Sequence, residues 1–156
     1  MSLGANIGDS LESLRAAVEA IKLLPKTKVL CCSAVYKTAP VGGVEQEDFL
    51  NICLEIETLL SPQALLGACL GIEAAMGRVR KIRFGPRIID IDIIVFEGET
   101  INTQELTLPH PRMHERAFVI VPMLDLIDDY NVYNIKPSEL LQNVDNIGVS
   151  RLSLKI

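Results

Sequence analysis

A chain of 156 residues is the size of one ordinary domain, 1–156, and is long enough to bury a core without disulfide staples. Its 20 acidic residues outnumber its 15 basic ones, which disfavours a broad nucleic-acid surface, and no apolar run approaches the ~20 residues of a membrane span. Cys31, Cys32, Cys53 and Cys69 form no C-x-x-C pair and lie in apolar segments, so they read as core thiols of a reducing compartment; with no leader pattern in "MSLGANIGDS", the expected location is the cytoplasm.

The first strand is short, no more than "MSLGA". In "GDSLESLRAAVEAIKLLPK", Leu11, Leu14, Val18, Ile21 and Leu24 recur at helical spacing, with Asp9 or Ser10 as the N-cap. "TKVLCCSAVYKT" and "DFLNICLEIETLL" read as two strands joined by the Gly- and Pro-containing "APVGGVEQE", long enough to carry function. "SPQALLGACLGIEAAMGR" is a second helix, with Ser61 as N-cap, Pro62 at its first position, and Leu65, Leu66, Cys69, Ile72 and Met76 on one face. "IIDIDIIVF" is the next strand, ending at "EGE". After "TLPHPRMHERA", Pro122 argues against a long regular element in "FVIVPMLDLI", and "KPSELLQNV" is a short helix. The order strand, helix, strand, strand, helix, strand predicts an α+β fold: a ferredoxin-like βαββαβ sandwich, its mostly antiparallel sheet carrying helices on one face, plus a C-terminal extension.

The chemistry concentrates in "GPRIIDIDII". Strand side chains alternate faces, so Asp90 and Asp92 point one way while Ile89, Ile91 and Ile93 point the other. Two carboxylates side by side on one face want a positive partner, and a divalent cation is the simplest. Just before them, Arg78, Arg80, Lys81, Arg83 and Arg87 supply five cations. Guanidinium forks suit phosphate oxygens, and Mg²⁺ is commonly held by one or two carboxylates plus substrate phosphates, so the combination points to a bound polyphosphate. The plainer alternative is a solvated loop with surface ion pairs; it suits the arginines taken alone but not two aspartates inside an apolar strand. His110 stands between two prolines near Arg112 and Arg116, while His114 reads as an exposed loop histidine. Phe49 and Asn51 share a strand face, a weak signal that equally fits core and structural amide.

"RFGPRIIDIDIIVF" resembles the signature of the 6-hydroxymethyl-7,8-dihydropterin pyrophosphokinases of folate biosynthesis. The resemblance extends to "SLGANIGD", "VYKTAPVG", "FLNICLEIET", "EAAMGRVR" and "TLPHPRMHERAFVIVPML", covering about Ser2 to Leu124. It implies transfer of pyrophosphate from ATP to the pterin hydroxymethyl group, releasing AMP, on a ferredoxin-like sandwich with two Mg²⁺ ions. By position, Asp90 and Asp92 match the family's metal ligands, and Arg78 and Arg87 match arginines that assist transfer. Glu73, Arg80, Arg83, Thr107, His110 and Arg116 match ATP-binding positions. Thr38, Pro40, Val41, Phe49, Asn51 and Phe118 match the pterin pocket, where two rings sandwich the heterocycle. Phe84 stands where some members carry Trp, and Glu105 where some carry an ATP-contacting arginine. The implied partners are these two small molecules, with neither nucleic acid nor membrane, and with a fusion or pathway link to dihydropteroate synthase or dihydroneopterin aldolase.

Two other readings share part of the pattern. A non-catalytic ferredoxin-like module holding RNA or a nucleotide would want a basic balance and an aromatic stripe, and the chain has neither. A metal-dependent nuclease or nucleotidyl transferase would use the same aspartates but leaves Phe49, Asn51 and Phe118 without a role.

Overall fold

The structure, a computed structural model, describes residues 1–40, 43, 45–78, 85–126, 137–142, 144 and 148–156. Its elements run β1 (Ser2–Ala5), α1 (Ser10–Lys22), β2 (Thr27–Cys32), β3 (Val35–Thr38), β4 (Phe49–Thr58), α2 (Pro62–Ala75), β5 (Asp90–Asp92), β6 (Ile101–Asn102), β7 (Thr107–Leu108), a 3₁₀ turn (Met113–Glu115), α3 (Ala117–Met123), α4 (Pro137–Leu141) and β8 (Val149–Leu152).

The helices start where their caps dictate. The Asp9 carboxylate accepts the Glu12 N–H at the start of α1, and the Ser61 hydroxyl accepts that of Ala64 at the start of α2, with Pro62 in the first turn. α1 buries Leu14, Ala17, Val18 and Ile21, a single stripe at helical spacing. Two residues beyond α2 stands Gly77, whose φ of +83° is open to glycine and strained for other residues, so the chain turns there and delivers Arg78 toward the sheet.

β4 is the longest strand and organises the sheet. β1 pairs with it on one side; on the other, β3 lies along its first half and β2 along its second. With β2 and β3 counted as one bent strand, the antiparallel order β5-β1-β4-β3 is fourth, first, third, second, which is the ferredoxin-like arrangement; β8 extends it beyond β3. Residues 27–38 are thus two strands and not the single one expected. At the kink, Ser33 keeps its pairing to Cys53 through both its N–H and its hydroxyl, and the Ala34 N–H turns to the Asp125 carboxylate. The strand expected over "IIDIDIIVF" is also shorter, because beyond Asp92 the chain leaves the sheet and the Ile94 carbonyl takes the His110 N–H.

Alternation along the strands divides two cores. Leu3, Ile52, Leu54 and Ile91 face α1 and α2, whereas Cys53 faces the opposite side with Ile94, Val119 and Met123, under α3. Full burial of each such aliphatic side chain is worth about 1.5–3 kcal/mol. The cysteines divide too: Cys53 and Cys69 are buried as expected, but Cys31 and Cys32 are exposed, since a bulge between Val29 and Cys31 breaks the inward alternation of β2. Among the described residues, no helix is long and apolar enough to cross a membrane.

Candidate active site

The sheet register writes the site. Gly4 pairs with Asp90 on one side and with Asn51 on the other, and Ser2 pairs with Asp92 and Cys53. All of these lie on the face away from α1 and α2. With strands about 4.8 Å apart, Asp90 and Asn51 stand roughly 10 Å from each other across β1. A cavity of about 290 Å³ opens over this row and brings together Thr38, Pro40, Phe49, Asn51, Arg87, Asp90, Asp92, Arg116 and Phe118 from the residues expected to form a site.

Its β5 side is an ion-pair cluster. Asp90 is held from both sides, by Arg78 at 2.6 Å and by a close contact with Arg87. Asp92 takes Arg116 at 3.0 Å. Behind them Glu73 is buried, and its carboxylate accepts the Ile91 N–H at 2.7 Å while closely paired with Arg78. Glu73 therefore fixes both the strand that carries the aspartates and the arginine that meets them. His110 sits beside this cluster, its Nδ1 accepting the Arg112 N–H at 3.1 Å and its Nε2 lying 3.5 Å from Arg116. Burial lowers the His110 pKa; Asp92 opposes this, and Arg116 and Arg112 add to it, so the ring favours its neutral form.

The β4 side is neutral. The Asn51 amide donates to the Thr38 hydroxyl at 2.7 Å, and both residues are buried. Phe49 and Phe118 line the cavity, and the Arg116 guanidinium lies 5.6 Å from the Phe118 ring centre, tying the two sides together. A Cβ on Gly4 would sit 2.7 Å from the Asn51 side-chain oxygen, so this backbone must be glycine for the amide to lie where it does.

Some expected residues lie elsewhere. Arg78, Glu73 and His110 are not among the residues lining the cavity but adjoin its ion-pair cluster, and Thr107 is half-buried in β7. His114 and Glu105 are exposed. Val41, Arg80 and Arg83 lie outside the described residues, as does Phe84. Ser2, Gly4 and Glu115, which the sequence did not single out, also line the cavity, as does Arg112, noted only as a neighbour of His110. The first two were findable, since Ser2 and Gly4 alternate with the apolar Leu3 and Ala5. Arg112 and Glu115 pair with each other at 2.7 Å, and Arg112 holds the Glu115 carboxyl below its usual range.

The carboxylate pair offers hard oxygen donors on one face, and each carboxylate has more lone pairs than its guanidinium partners use, so the donor set suits Mg²⁺ shared with a polyphosphate. Among the described residues, no group of three or more His, Cys, Asp or Glu is placed to hold a metal ion. Fold and site thus define a ferredoxin-like protein with a carboxylate–arginine cluster beside a neutral, aromatic pocket.

Residues 1–128 match the family described as 7,8-dihydro-6-hydroxymethylpterin-pyrophosphokinase. The 2-amino-4-hydroxy-6-hydroxymethyldihydropteridine pyrophosphokinase of Methylorubrum extorquens is 43% identical over 97% of this chain and 96% of its own. That of Bacillus subtilis is 44% identical over 81% of this chain and 75% of its own. The crystal structure of Plasmodium falciparum HPPK-DHPS overlays 91% of this chain at a TM-score of 0.65 and 16% identity, and this chain spans 42% of that longer one. The chain belongs to the 7,8-dihydro-6-hydroxymethylpterin-pyrophosphokinase family.

Proposed function

We propose that this protein transfers the pyrophosphoryl group of ATP to the hydroxymethyl oxygen of 6-hydroxymethyl-7,8-dihydropterin, forming the pterin diphosphate and AMP, as a step of folate biosynthesis. One observation carries the reading beyond family membership: a single sheet face holds an ion-pair cluster suited to a polyphosphate and, one strand away, a polar-floored aromatic pocket suited to a flat heterocycle.

In the reaction, the alcohol oxygen bonds to the β-phosphorus and the bridge to the α-phosphate breaks, its electrons leaving with AMP and the hydroxyl proton passing to solvent. This chemistry needs in-line positioning and neutralisation of charge more than a protein nucleophile. Asp90 and Asp92 are the residues that would hold two Mg²⁺ ions, which when bound neutralise phosphate charge and acidify the alcohol. Arg78 and Arg87 exchange part of their hold on Asp90 for phosphate oxygens, where a fork of N–H donors matches the charge that develops on the leaving group. Arg116, with His110 as a neutral neighbour, extends the cationic wall along the nucleotide. Glu73 acts from behind, by fixing Arg78 and β5, and Thr107, Arg80 and Arg83 complete the ATP-binding set.

On the other side of β1, Phe49 and Phe118 stack on the two faces of the pterin, and the Asn51 amide, oriented by Thr38, reads its donor and acceptor edge. Pro40 borders that pocket, and Val41 is its proposed neighbour on the pterin side. We place the reaction in one domain spanning 1–156 and in the cytoplasm; the four free thiols suit a reducing compartment. A link to a second folate enzyme is supported by the joined name of the Plasmodium falciparum structure.

The decisive measurement is product identity. With ATP, Mg²⁺ and 6-hydroxymethyl-7,8-dihydropterin the protein should release AMP in step with pterin diphosphate. ADP as the nucleotide product, or no turnover, overturns the proposal.

A further inference from the structure

Asp125 stands just past the end of α3 and is tied to its last turn, its own N–H donating to the Pro122 carbonyl at 3.2 Å. Its carboxylate turns back onto the sheet. One oxygen, Oδ2, accepts the Ala34 N–H at 3.0 Å and the Tyr36 hydroxyl at 3.0 Å, and Oδ1 lies 3.1 Å from the same hydroxyl. Tyr36 is buried, and burial followed by the bond to Asp125 pushes its pKa up, so the hydroxyl keeps its proton and donates it. Arg151 is 3.8 Å from the carboxylate and mostly exposed, and adds only a screened attraction. Neither Tyr36 nor Asp125 lines the cavity. What they hold does: Phe118 lies near the other end of α3, roughly 10 Å from Asp125 at the helical rise.

α3 is otherwise seated by Val119 and Met123, which pack with Cys53 and Ile94 on this side of the sheet. Apolar packing is non-directional, so it keeps the helix on the sheet without fixing how far it slides or turns there. The bond from Tyr36 supplies that direction. Tyr36 is also the register partner of Asn51 between β3 and β4, so the helix is referenced to the strand pair that carries the Asn51 amide. We propose that Tyr36 and Asp125 are a positioning pair for the pterin subsite, whose phenol–carboxylate bond sets where Phe118 stands relative to Asn51. The inference rests on the pterin-side reading of Phe118 and Asn51 given above. Arg116, at the start of α3, has its own anchor on Asp92 at 3.0 Å, so the nucleotide side should feel the loss of the pair far less.

The test is steady-state AMP formation, varying pterin at saturating Mg²⁺ and ATP and then the converse, in the wild type and three variants. Tyr36→Phe removes only the hydroxyl; it should raise the KM for pterin about 5–10-fold and change the KM for ATP less than about 2-fold. Asp125→Ala removes the acceptor of both Tyr36 and Ala34 and should raise the pterin KM at least as much. Asp125→Asn keeps an oxygen able to accept both bonds, and its pterin KM should stay within about 2-fold of the wild type. A merely structural role would not give this split, because a smaller folded fraction lowers the number of active sites and leaves each KM unchanged. An unchanged pterin KM in Tyr36→Phe, equal rises in both KM values, or an Asp125→Asn protein as impaired as Asp125→Ala overturns the inference. If Asp125→Ala fails to fold, Tyr36→Phe decides the matter alone. Wild-type turnover keeps the two failures apart: a protein that makes AMP from pterin and ATP, with no KM split in Tyr36→Phe, refutes only the positioning pair.

Discussion

On the β5 side of β1 the cleft is held by charge, and on the β4 side by shape. Three carboxylates, Glu73, Asp90 and Asp92, meet three guanidiniums, Arg78, Arg87 and Arg116, in a cluster whose members already bind one another. Across β1, Thr38 supports Asn51 and two phenylalanines line an uncharged pocket. The first half tolerates rearrangement, since an incoming polyanion with cations can replace each ion pair by another. The second half has little slack, because a buried amide with a fixed partner binds one edge pattern well and others poorly. On the proposed reading, power and selectivity are separated by a single strand, and β1 turns Ser2 and Gly4 toward the space between them.

The largest effect should come from the charged half. Asp92→Ala removes one of the two hard donors and leaves Arg116 without its partner, so AMP formation at saturating substrates should fall by about 10³-fold, in the range seen when a single preorganised electrostatic group is lost. The melting temperature should move by only a few degrees, because Asp92 is partly exposed and outside both cores, a side chain of ~1 kcal/mol consequence to folding. A folded Asp92→Ala protein retaining a tenth of wild-type turnover would mean that the chemistry does not run along β5.

A smaller and more selective effect should follow at the strand between the halves. A methyl group on Gly4 would lie 2.7 Å from the Asn51 oxygen, and that amide is tied to Thr38, so it cannot simply swing away. Gly4→Ala should raise the KM for pterin about 10-fold, a displacement worth 1–3 kcal/mol, and change the KM for ATP much less. Equal losses for both substrates would erase the division of labour between the two sides of β1.

Much of this was legible in the sequence, and where it was not the reason is tertiary. The period-two pattern of "IIDIDII" gave the faces of Ile89, Asp90, Ile91 and Asp92 correctly, because alternation is a local property. The helix caps at Asp9 and Ser61 were equally local. The split of 27–38 into β2 and β3 was hidden, since it depends on Asp125, some 90 positions later, satisfying the Ala34 N–H. β8 was missed because a four-residue strand with mixed exposure has no periodicity to read. Cys31 and Cys32 looked buried by composition, but exposure was set by a bulge. Alternation with Leu3 and Ala5 could have given the face of Ser2 and Gly4, but their place between Asp90 and Asn51 comes from register, which the paired strands set.

The smallest expected effect concerns His110, at the outer edge of the charged half. Burial, reinforced by Arg116 and Arg112 and partly offset by Asp92, lowers its pKa from the ordinary histidine value, and the lone pair on Nδ1 is engaged by the Arg112 N–H. At pH above the ordinary histidine range the ring is neutral in both folded and unfolded chains and contributes no pH dependence. As pH falls through that range, the unfolded chain takes up a proton that the folded loop resists, so the unfolded state gains and stability declines until the folded ring also titrates. His110→Gln has no proton to take up at that position. Its denaturation midpoint should therefore drop less than that of the wild type between about pH 7.5 and about pH 5, at constant ionic strength. An equal drop in the two proteins would show that the ring gains as much from Asp92 as it loses to burial and the arginines, and would place His110 outside the electrostatic field that organises the β5 side of the cleft.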